Sequence, residues 1–313
     1  MDEGESVNRV SVLGSLNMDL VVKVKAMPEV GQTIMGEDFT SIPGGKGANQ
    51  AVAARRLGAE VNMIGKVGAD ANGQRLISEL QRDNINTEFV FVDKQNTTGT
   101  AVITVNEEGN NSIIVIAGAN MQIEKQELQS ARAVIENSNV LVAQFETSIE
   151  ITLEAFKYAK EKGLVTILNP APAKSIPEEL LRYTDIIVPN ETEALYLTGI
   201  EVKDIASAKE AGMQFINKGT KYVIITLGDK GAVLMDKDNC ELIPAFKVKA
   251  IDTTAAGDSF IGGISVKINF SNLKYEALKS AVEFANKVSS LSVQRKGAQP
   301  SIPTLSEVMK AYK

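Results

Sequence analysis

Short apolar runs alternate along the chain with longer stretches in which apolar residues recur every three or four positions. The short β-branched runs predict buried strands, and the longer stretches predict helices. The predicted strands are residues 9–13, 60–64, 140–143, 165–168, 186–188 and 222–226. The predicted helices are residues 47–57, 71–83, 150–162, 191–198 and 205–218. Strands that alternate with helices build a mostly parallel sheet covered by helices on both faces, so the predicted fold class is α/β.

Two regions interrupt this alternation. Residues 20–25 with 33–39, and residues 99–105 with 112–116, read as pairs of half-exposed antiparallel strands. They predict a small β-sheet built from two separated segments, about residues 15–45 and 97–118. Such a sheet is either a lid over an active site or an ordinary surface meander, and the pattern fits both. We find no repeat and no Pro/Ser-rich linker, so residues 1–313 are expected to form one domain with these lid strands.

Composition removes several kinds of site. The chain has no histidine, so a Ser-His-Asp triad and a histidine metal site are both excluded. Acid–base chemistry must therefore come from carboxylate, lysine, tyrosine or cysteine side chains. The net charge of −6 argues against a broad basic surface, so no nucleic-acid partner is expected.

The single cysteine, Cys240, rules out an internal disulfide and favours a reducing compartment. No apolar run reaches the roughly 18 residues of a membrane span, and the first ten residues are polar and acidic, unlike a secretory signal. We therefore expect a cytoplasmic protein with no membrane partner. A nuclear or organellar pool stays open.

The segment DTTAAGDSFIGG, residues 252–263, follows a strand-like run and opens a helix. Its small residues let several backbone N–H groups converge at the helix N-terminus, which suits a phosphate. Asp258 lies at this point, where a carboxylate can accept a hydroxyl proton during phosphoryl transfer. An aspartate in a first helical turn is often a simple cap, but the whole small-residue segment favours the functional interpretation.

A second glycine-rich segment, PGGKGANQ, covers residues 43–50. It lacks the G-x-G-x-x-G spacing of a dinucleotide fingerprint, and no Ser or Thr follows Lys46 as a Walker A loop requires. Glycines before a helix allow close backbone approach, and Lys46 and Asn49 could then donate to ligand hydroxyls. An ordinary glycine turn at a helix start explains the segment equally well.

Three further segments place polar groups at the ends of predicted strands. Asn17 and Asp19 follow the first strand, at the edge where open α/β sheets bind ligands, although turn chemistry alone would also explain them. Asn190 and Glu193 match a helix capping box, or place Glu193 near a hydrated Mg²⁺ that carries ATP. Residues 226–231 (TLGDKG) are either a hairpin turn or a glycine-lined surface for a nucleotide.

Together these segments resemble the PfkB carbohydrate-kinase family over residues 9–303. The glycine-rich segment continues with Gly58 and Gly68 at the family's spacing, and residues 252–263 are similar to its second signature. The resemblance within the family is to the ribokinase branch, on residues 17–19, 44–49, 188–193 and 295–301. It implies a ribokinase-like three-layer sandwich with a small β-sheet lid. It also implies ATP-dependent phosphorylation of D-ribose at the 5-hydroxyl, which gives ribose 5-phosphate.

The resemblance implies a role for each matching residue. Asp258 would be the general base, beside an anion hole made by the backbone amides of Ala255, Ala256, Gly257 and Asp258. The sugar would be held by Asn17, Asp19, Gly44, Gly45, Lys46, Asn49 and Glu146, together with Asp258. The nucleotide site would be lined by Asn190, Thr226, Leu227, Gly228, Gly231, Gly257 and Asn286.

Two cations and one assembly are also implied by the resemblance. Mg²⁺ would enter with ATP and be organised indirectly by Glu193. K⁺ would act as a monovalent activator at Asp252, Thr254, Ser292, Arg295, Gly297 and Ser301. A homodimer through the lid strands is expected, because the family often pairs in this way and exposed strand edges are then covered.

Other functions stay open at this point. A related kinase of the same family could act on deoxyribose, fructose or a nucleoside. A catalytically idle sugar-binding protein could use the same fold, although Asp258 and its intact small-residue run argue against it. A nicotinamide oxidoreductase is disfavoured because the dinucleotide fingerprint is absent.

Overall fold

The structure is a computed structural model that describes residues 7–313; residues 1–6, part of the polar start of the chain, lie outside it. The strands of the described chain are β1 (Arg9–Leu13), β2 (Asn17–Lys23), β3 (Asp38–Gly44), β4 (Glu60–Gly68), β5 (Asn86–Asp93), β6 (Gly99–Val105), β7 (Asn111–Ile116), β8 (Val140–Ala143), β9 (Val165–Leu168), β10 (Ile186–Ile187), β11 (Tyr222–Thr226), β12 (Gly231–Met235) and β13 (Cys240–Pro244).

The α-helices between residues 7 and 313 are α1 (Lys46–Arg56), α2 (Ala71–Arg82), α3 (Lys125–Ser130), α4 (Arg132–Glu136), α5 (Ile149–Glu161), α6 (Glu178–Arg182), α7 (Glu191–Thr198), α8 (Ile205–Asn217), α9 (Ala256–Lys267), α10 (Tyr275–Ser292) and α11 (Leu305–Ala311). In this range no helix has the length and apolar character needed to cross a membrane.

The larger sheet has nine strands within the described residues, in the order β13-β12-β11-β10-β9-β8-β1-β4-β5. Neighbours from β5 to β11 pair in parallel, and β12 and β13 add two antiparallel strands at one edge. From β1, the chain adds β4 and β5 on one side and β8 to β11 on the other. The change of direction leaves a crevice at the carboxyl ends of β1 and β8, the place where open α/β sheets bind ligands.

Two apolar cores, one on each face of this sheet, confirm the predicted three-layer α/β fold. Val10 and Val12 of β1 belong to the core that contains α1, α9 and α10. Leu13 of β1 and Leu141 of β8 belong to the other core, with α5 and α8. Successive residues of a strand point to opposite faces, so each parallel strand is buried on both sides.

A separate sheet of four strands, in the order β3-β2-β6-β7, confirms the predicted small sheet from two segments of the chain. β2 pairs antiparallel with β3, β6 pairs antiparallel with β7, and β2 and β6 join the two hairpins in parallel. The register sets Asn17 opposite both Gly44 and Gly99. The first turn of α1 therefore begins beside the start of β2.

The prediction of a strand over residues 33–39 is wrong, because the partner of β2 is β3, Asp38–Gly44. The residues that pair with β2 are Asp38–Gly44, so the strand lies later in the chain than the alternation of apolar and polar residues indicates. Met35, inside the predicted strand, is 88% exposed and packs in no core. The pattern also misses β5, an edge strand of the large sheet that tolerates polar residues on its open side.

Helices α1 and α9 pack very closely through small residues. A Cβ placed on Gly262 would lie 2.4 Å from the Cβ of Ala53, which is far inside normal van der Waals contact. Gly47, at the start of α1, lies equally close to the backbone of Gly14 at the end of β1. These contacts bring the N-termini of α1 and α9 to the same point of the crevice.

Candidate active site

The crevice collects polar side chains from five segments of the chain. They come from the start of β2, the first turns of α1, the loop after β8, the start of α7 and the first turn of α9. Most of the residues predicted to hold a sugar, a phosphate or a nucleotide lie here. The group consists of Asn17, Asp19, Lys46, Asn49, Glu146, Glu193 and Asp258.

Asp258 lies in the first turn of α9 and is 7% exposed. Its Oδ2 accepts a hydrogen bond from Asn49 Nδ2 at 2.9 Å, and its Oδ1 accepts one from Gln50 Nε2 at 3.0 Å. Burial raises the pKa of Asp258, and the nearby Lys46 ammonium and the two amides act in the opposite direction. A carboxylate with a raised pKa is a stronger base, which suits proton abstraction near neutral pH.

Backbone amides converge beside this carboxylate. Ala255 precedes α9 in the left-handed region, with φ of 59°, an uncommon conformation for a residue with a side chain. Among the described residues, the N–H groups of Ala255, Gly257 and Asp258 have no acceptor, whereas Ala256 N–H donates to the Thr253 carbonyl. Unpaired amides at a helix N-terminus bind anions.

Gly257 is exposed, and a Cβ at this position would meet no protein atom within 4 Å. Packing within the protein therefore does not require a glycine here. A glycine would be required if a ligand lay against the backbone at this point. The observation fits the anion hole that the sequence predicts.

Asp19 and Gly44 are in direct contact across the β2–β3 pair. A Cβ on Gly44 would lie 2.3 Å from Asp19 Oδ2, so only glycine leaves room for this carboxylate. Burial and the neighbouring carboxylates of Glu146 and Asp258 raise the pKa of Asp19 to about 7, against an opposing effect of Lys46. The ionised form of Asp19 is thus disfavoured in the empty site, and hydroxyl donors would stabilise it.

Glu146 reaches the crevice from the loop after β8. Its Oε2 accepts hydrogen bonds from the backbone N–H of Lys46 at 3.1 Å and from the hydroxyl of Ser15. The hydroxyl of Ser15 also accepts from Gly47 N–H at 3.3 Å. Glu146 therefore caps the N-terminus of α1 from outside the helix, in addition to the role in sugar binding that the resemblance implies.

Two asparagines predicted to bind sugar are held in fixed orientations. Asn17 Oδ1 accepts from Asn120 Nδ2 at 2.7 Å, and Asn120 also holds the backbone of Leu16. Asn49 uses its Nδ2 on Asp258, and its buried Oδ1 has no hydrogen-bond partner among the described residues. An unpaired buried acceptor is costly, so Asn49 Oδ1 is available to a ligand hydroxyl.

A cavity of about 200 Å³ lies next to Asp258. Its lining joins the predicted phosphate and nucleotide residues and consists of Lys46, Asn169, Ala171, Val188, Asn190, Glu193, Thr226, Thr253, Ala255, Gly257, Asp258 and Ile261. The Lys46 ammonium forms no ion pair within 4.0 Å in the described part of the chain. Burial lowers the pKa of Lys46, but the surrounding carboxylates outweigh it and raise the pKa, so the ammonium stays charged.

Glu193 and Asn190 form both halves of a capping box at the start of α7. Glu193 Oε2 accepts from Asn190 N–H at 2.9 Å, and Asn190 Oδ1 accepts from Glu193 N–H at 2.7 Å. Burial raises the pKa of Glu193, against the opposing effects of that hydrogen bond and of Lys46. The structural interpretation of this motif is therefore correct, and a part in Mg²⁺ binding stays a prediction.

The other predicted nucleotide residues follow β11. Thr226 lines the cavity, whereas Leu227, Gly228, Gly231 and Asn286 do not. Gly231 has φ of 112°, and a Cβ there would lie 2.1 Å from the Ile243 carbonyl, so the fold itself requires this glycine. Asn286 Nδ2 donates to the carbonyls of Ile243 and Pro244 and ties α10 to β13.

The residues predicted to hold K⁺ lie on the loop before α9 and on the C-terminal end of α10 with the segment that follows it. Asp252 Oδ2 accepts from Gly297 N–H at 2.8 Å, and its Oδ1 accepts from Thr254 N–H at 2.9 Å. Burial opposes ionisation of Asp252, but these hydrogen bonds outweigh it and lower the pKa. The hydroxyls of Ser292 and Ser301 lie 2.9 Å apart.

Arg295 is predicted to belong to the same site, but its guanidinium pairs with Glu307 at 2.7 Å. A guanidinium is itself a cation with no acceptor, so only the backbone carbonyl of Arg295 could bind K⁺. No group of three or more acidic or cysteine ligands occurs in residues 7–313, so a cation here would combine the Asp252 carboxylate with carbonyl and hydroxyl oxygens.

Several polar residues of the site carry no motif that sequence reasoning could use. They hydrogen-bond to the predicted residues either directly or through Gln50, and they are Ser15, Gln50, Asn120, Gln144 and Asn169. Gln50 is the nearest to a detectable signal, because it adjoins Asn49 within the glycine-rich segment.

Replacing Asp19 with asparagine should change how stability depends on pH. The pKa of Asp19 is about 7 in the folded chain and 3.8 ordinarily. Between these values the folded chain keeps a proton that the unfolded chain releases, so the free energy of unfolding falls as pH rises. We expect D19N to gain about 2 kcal/mol over wild type between pH 5 and pH 8, measured by urea unfolding.

The control for this experiment is D38N, which removes an exposed carboxylate from the neighbouring strand β3. D38N should follow wild type at both pH values. If the unfolding free energies of D19N and wild type change in parallel with pH, Asp19 does not titrate as a buried carboxyl.

The chain is similar to known carbohydrate kinases in sequence and in structure. The sequence profile of the pfkB family carbohydrate kinases matches residues 7–305. A ribokinase of Staphylococcus aureus strain COL is 44% identical over 302 residues, which cover 96% of this chain and 98% of that protein. Ribokinase from Giardia lamblia has a TM-score of 0.90 at 31% identity, with 98% of each chain covered. Arabidopsis thaliana ribokinase, solved with ribose and ATP, has a TM-score of 0.88 at 31% identity, again with 98% of each chain covered.

The profile covers all but a few of the described residues, and the S. aureus protein is similar over nearly its whole length. The chain therefore belongs to the pfkB family of carbohydrate kinases.

Proposed function

We propose that this protein is an ATP-dependent kinase that phosphorylates D-ribose on its 5-hydroxyl. The position of Asp258 carries the proposal. Its buried carboxylate lies between unpaired backbone amides at the start of α9 and the carboxylates of Asp19 and Glu146. Relatives that are ribokinases, one of them solved with ribose and ATP, support the choice of ribose.

The reaction step follows from this arrangement. The 5-hydroxyl of the sugar transfers its proton to the carboxylate of Asp258. At the same time, the oxygen of this hydroxyl forms a bond to the γ-phosphorus of ATP. The bond between the γ-phosphorus and the bridging oxygen breaks, and ADP leaves with the electron pair. The unpaired amides of Ala255, Gly257 and Asp258 and the Lys46 ammonium stabilise the charge on the transferring phosphoryl group.

Sugar recognition rests on acceptors with unmet hydrogen-bonding capacity. Asp19 is a crowded, half-buried carboxylate that would gain from two hydroxyl donors, as a vicinal diol provides. Asn49 Oδ1 is unpaired and can only accept, so a hydroxyl that meets it must donate. The small sheet of β2, β3, β6 and β7 carries Asp19, and we propose that it acts as a lid that excludes water during transfer.

Mg²⁺ fits the nucleotide end of the cavity. Glu193 lines this cavity and uses only Oε2 on the helix cap, so its second carboxylate oxygen is available for a hydrated ion. When bound with ATP, Mg²⁺ would neutralise charge on the phosphates. Asn190 and Thr226 line the same space and would contact the nucleotide.

The proposed activity is tested by a coupled ADP-release assay with Mg-ATP and, in turn, ribose, 2-deoxyribose, fructose and adenosine. We expect ribose to give the highest kcat/KM. D258N should lower kcat by at least about 100-fold, because a general base contributes on that order, while ribose still binds. Binding is measured separately by calorimetry.

D238N is the matched control, since it removes a surface carboxylate that is 71% exposed. It should retain wild-type turnover. ADP release that no sugar stimulates would reject the kinase, and near-normal turnover of D258N would reject Asp258 as the base.

A monovalent cation site is proposed next to the anion hole, between the loop before α9 and the segment that follows α10. Asp252 stays ionised and binds backbone amides of both segments, and the Ser292 and Ser301 hydroxyls lie close together nearby. Carbonyl and hydroxyl oxygens around one carboxylate suit K⁺, which would stabilise the loop that presents the amides of residues 255–258.

After dialysis into a tetramethylammonium buffer, added KCl should raise turnover of the wild-type protein, and the same concentration of tetramethylammonium chloride should not. D252N should respond weakly to KCl, because it lacks the site's negative charge. Turnover that is equal with and without K⁺ would remove this proposal but not the kinase assignment.

A homodimer through the small sheet is also proposed. β7 is an edge strand whose six residues are all exposed, and four of them, Ile113 to Ile116, are large and apolar. An exposed apolar edge strand promotes association. A second copy of the sheet would cover this edge by strand pairing.

Light scattering should give about twice the 33.6 kDa chain mass for the wild type at micromolar concentration. I114K should give the mass of one chain, because a lysine cannot be buried unpaired at such an edge. M309K, on α11, places the same charge on another exposed apolar residue and should remain a dimer. A monomeric wild type would contradict the proposal.

A cytoplasmic location, and the absence of nucleic-acid and membrane partners, remain predictions from composition and charge.

A further inference from the structure

Three amide side chains, two of them buried, form a network behind Asp258. Gln50, in α1, is 1% exposed, and Gln144, just after β8, is fully buried. Gln50 Nε2 donates to Asp258 Oδ1 at 3.0 Å and to Asn169 Oδ1 at 3.1 Å. Gln50 Oε1 accepts from Gln144 Nε2 at 2.7 Å. Both N–H groups of Gln50 are thus used inside the protein, and Gln50 does not line the adjoining cavity.

The network determines which end of the Gln50 amide faces the base. Asn169 Nδ2 donates to the backbone carbonyl of Val188 at 3.1 Å, and a carbonyl can only accept. Asn169 must therefore turn its oxygen toward Gln50. Gln144 presents an N–H group to the other end of the same amide. Turning the Gln50 amide over would set its oxygen against the acceptor oxygens of Asn169 and Asp258, so its nitrogen faces Asp258.

We propose that Gln50 is a positioning residue for the base: it fixes the orientation of the Asp258 carboxylate and keeps it ionised, without touching the substrate. Gln50 and Asn49 each donate to a different oxygen of this carboxylate. They occupy the side that faces α1, and the remaining lone pairs are left for the cavity that Asp258 lines. The inference rests on the proposed kinase function.

Charged groups near Asp258 also shift its pKa, in addition to the hydrogen bond from Gln50. The Lys46 ammonium favours ionisation, and the neighbouring carboxylates oppose it together with burial. The charged groups that face Asp258 are Lys46 from α1, Asp19 from β2, Glu146 from the loop after β8 and Glu193 from α7. Loss of one N–H donor to the carboxylate must therefore raise the pKa of Asp258 further.

The test is the pH dependence of kcat in Gln50→Met, measured from pH 5 to 9 at saturating Mg-ATP and ribose. The reaction needs ionised Asp258, so kcat falls at low pH in the wild type. In Q50M this acidic limb should lie about one pH unit higher, so kcat at pH values on the limb should fall by about tenfold while the plateau at high pH changes less. The KM for ribose should change by less than about twofold, because only the base is affected.

A merely structural role predicts lower stability with an unmoved acidic limb, and a role in sugar binding predicts a raised KM with unchanged kcat. Either result overturns the proposal. T166V is the matched control, since it removes a buried hydroxyl that binds Asp185 far from the base. T166V should lower the melting temperature and leave the limb in place.

Gln50→Glu provides a second variant if Q50M does not fold. It keeps the shape of the side chain and places a carboxylate beside Asp258, so the limb should move up by more than in Q50M. A limb that coincides with wild type in Q50E overturns the proposal. Wild-type turnover in the same assay tests the kinase function itself. Failure of the proposed kinase function is therefore distinguishable from failure of the proposed role of Gln50.

Discussion

The site depends on the close packing of helix α1 against helix α9. Gly262 approaches Ala53 so closely that even one added methyl group would collide, and Gly47 lies as close to Gly14. Because the residues at these contacts are small, the two helix N-termini meet in the crevice. Asn49 and Gln50 of α1 then reach both oxygens of Asp258. Burial of a carboxylate is costly without such partners, so the packing that shapes the site also supplies donors to the carboxylate of Asp258.

The electrostatics of the crevice are unfavourable until a ligand binds. Asp19, Glu193 and Asp258 all have raised pKa values through burial, and they share one nearby ammonium, that of Lys46. In the proposed complex, sugar hydroxyls would supply hydrogen-bond donors to these carboxylates. The crowding of carboxyl groups would then disfavour the empty site more than the occupied one, as expected where function outweighs local stability.

The sequence predicts the parts of the structure that depend on local pattern. The alternation of strands and helices, and the small-residue segment before Asp258, follow from periodicity and helix-terminus chemistry. The partners of the predicted residues do not, because they come from distant segments: Asn120 lies 103 positions from Asn17. Glycine roles also need the structure. Gly231 is required by a clash with the Ile243 carbonyl, whereas Gly257 has open space around it and suits a ligand.

The account is tested most directly by a crystal structure of the protein with ribose and a non-hydrolysable ATP analogue. We predict that the sugar 5-oxygen lies roughly 2.6–3.2 Å from an oxygen of Asp258, on the side away from Gln50. The γ-phosphate should accept hydrogen bonds from the unpaired amides of Ala255, Gly257 and Asp258. A sugar whose 5-oxygen lies beyond hydrogen-bond reach of Asp258 while both ligands are bound would contradict its assignment as the base.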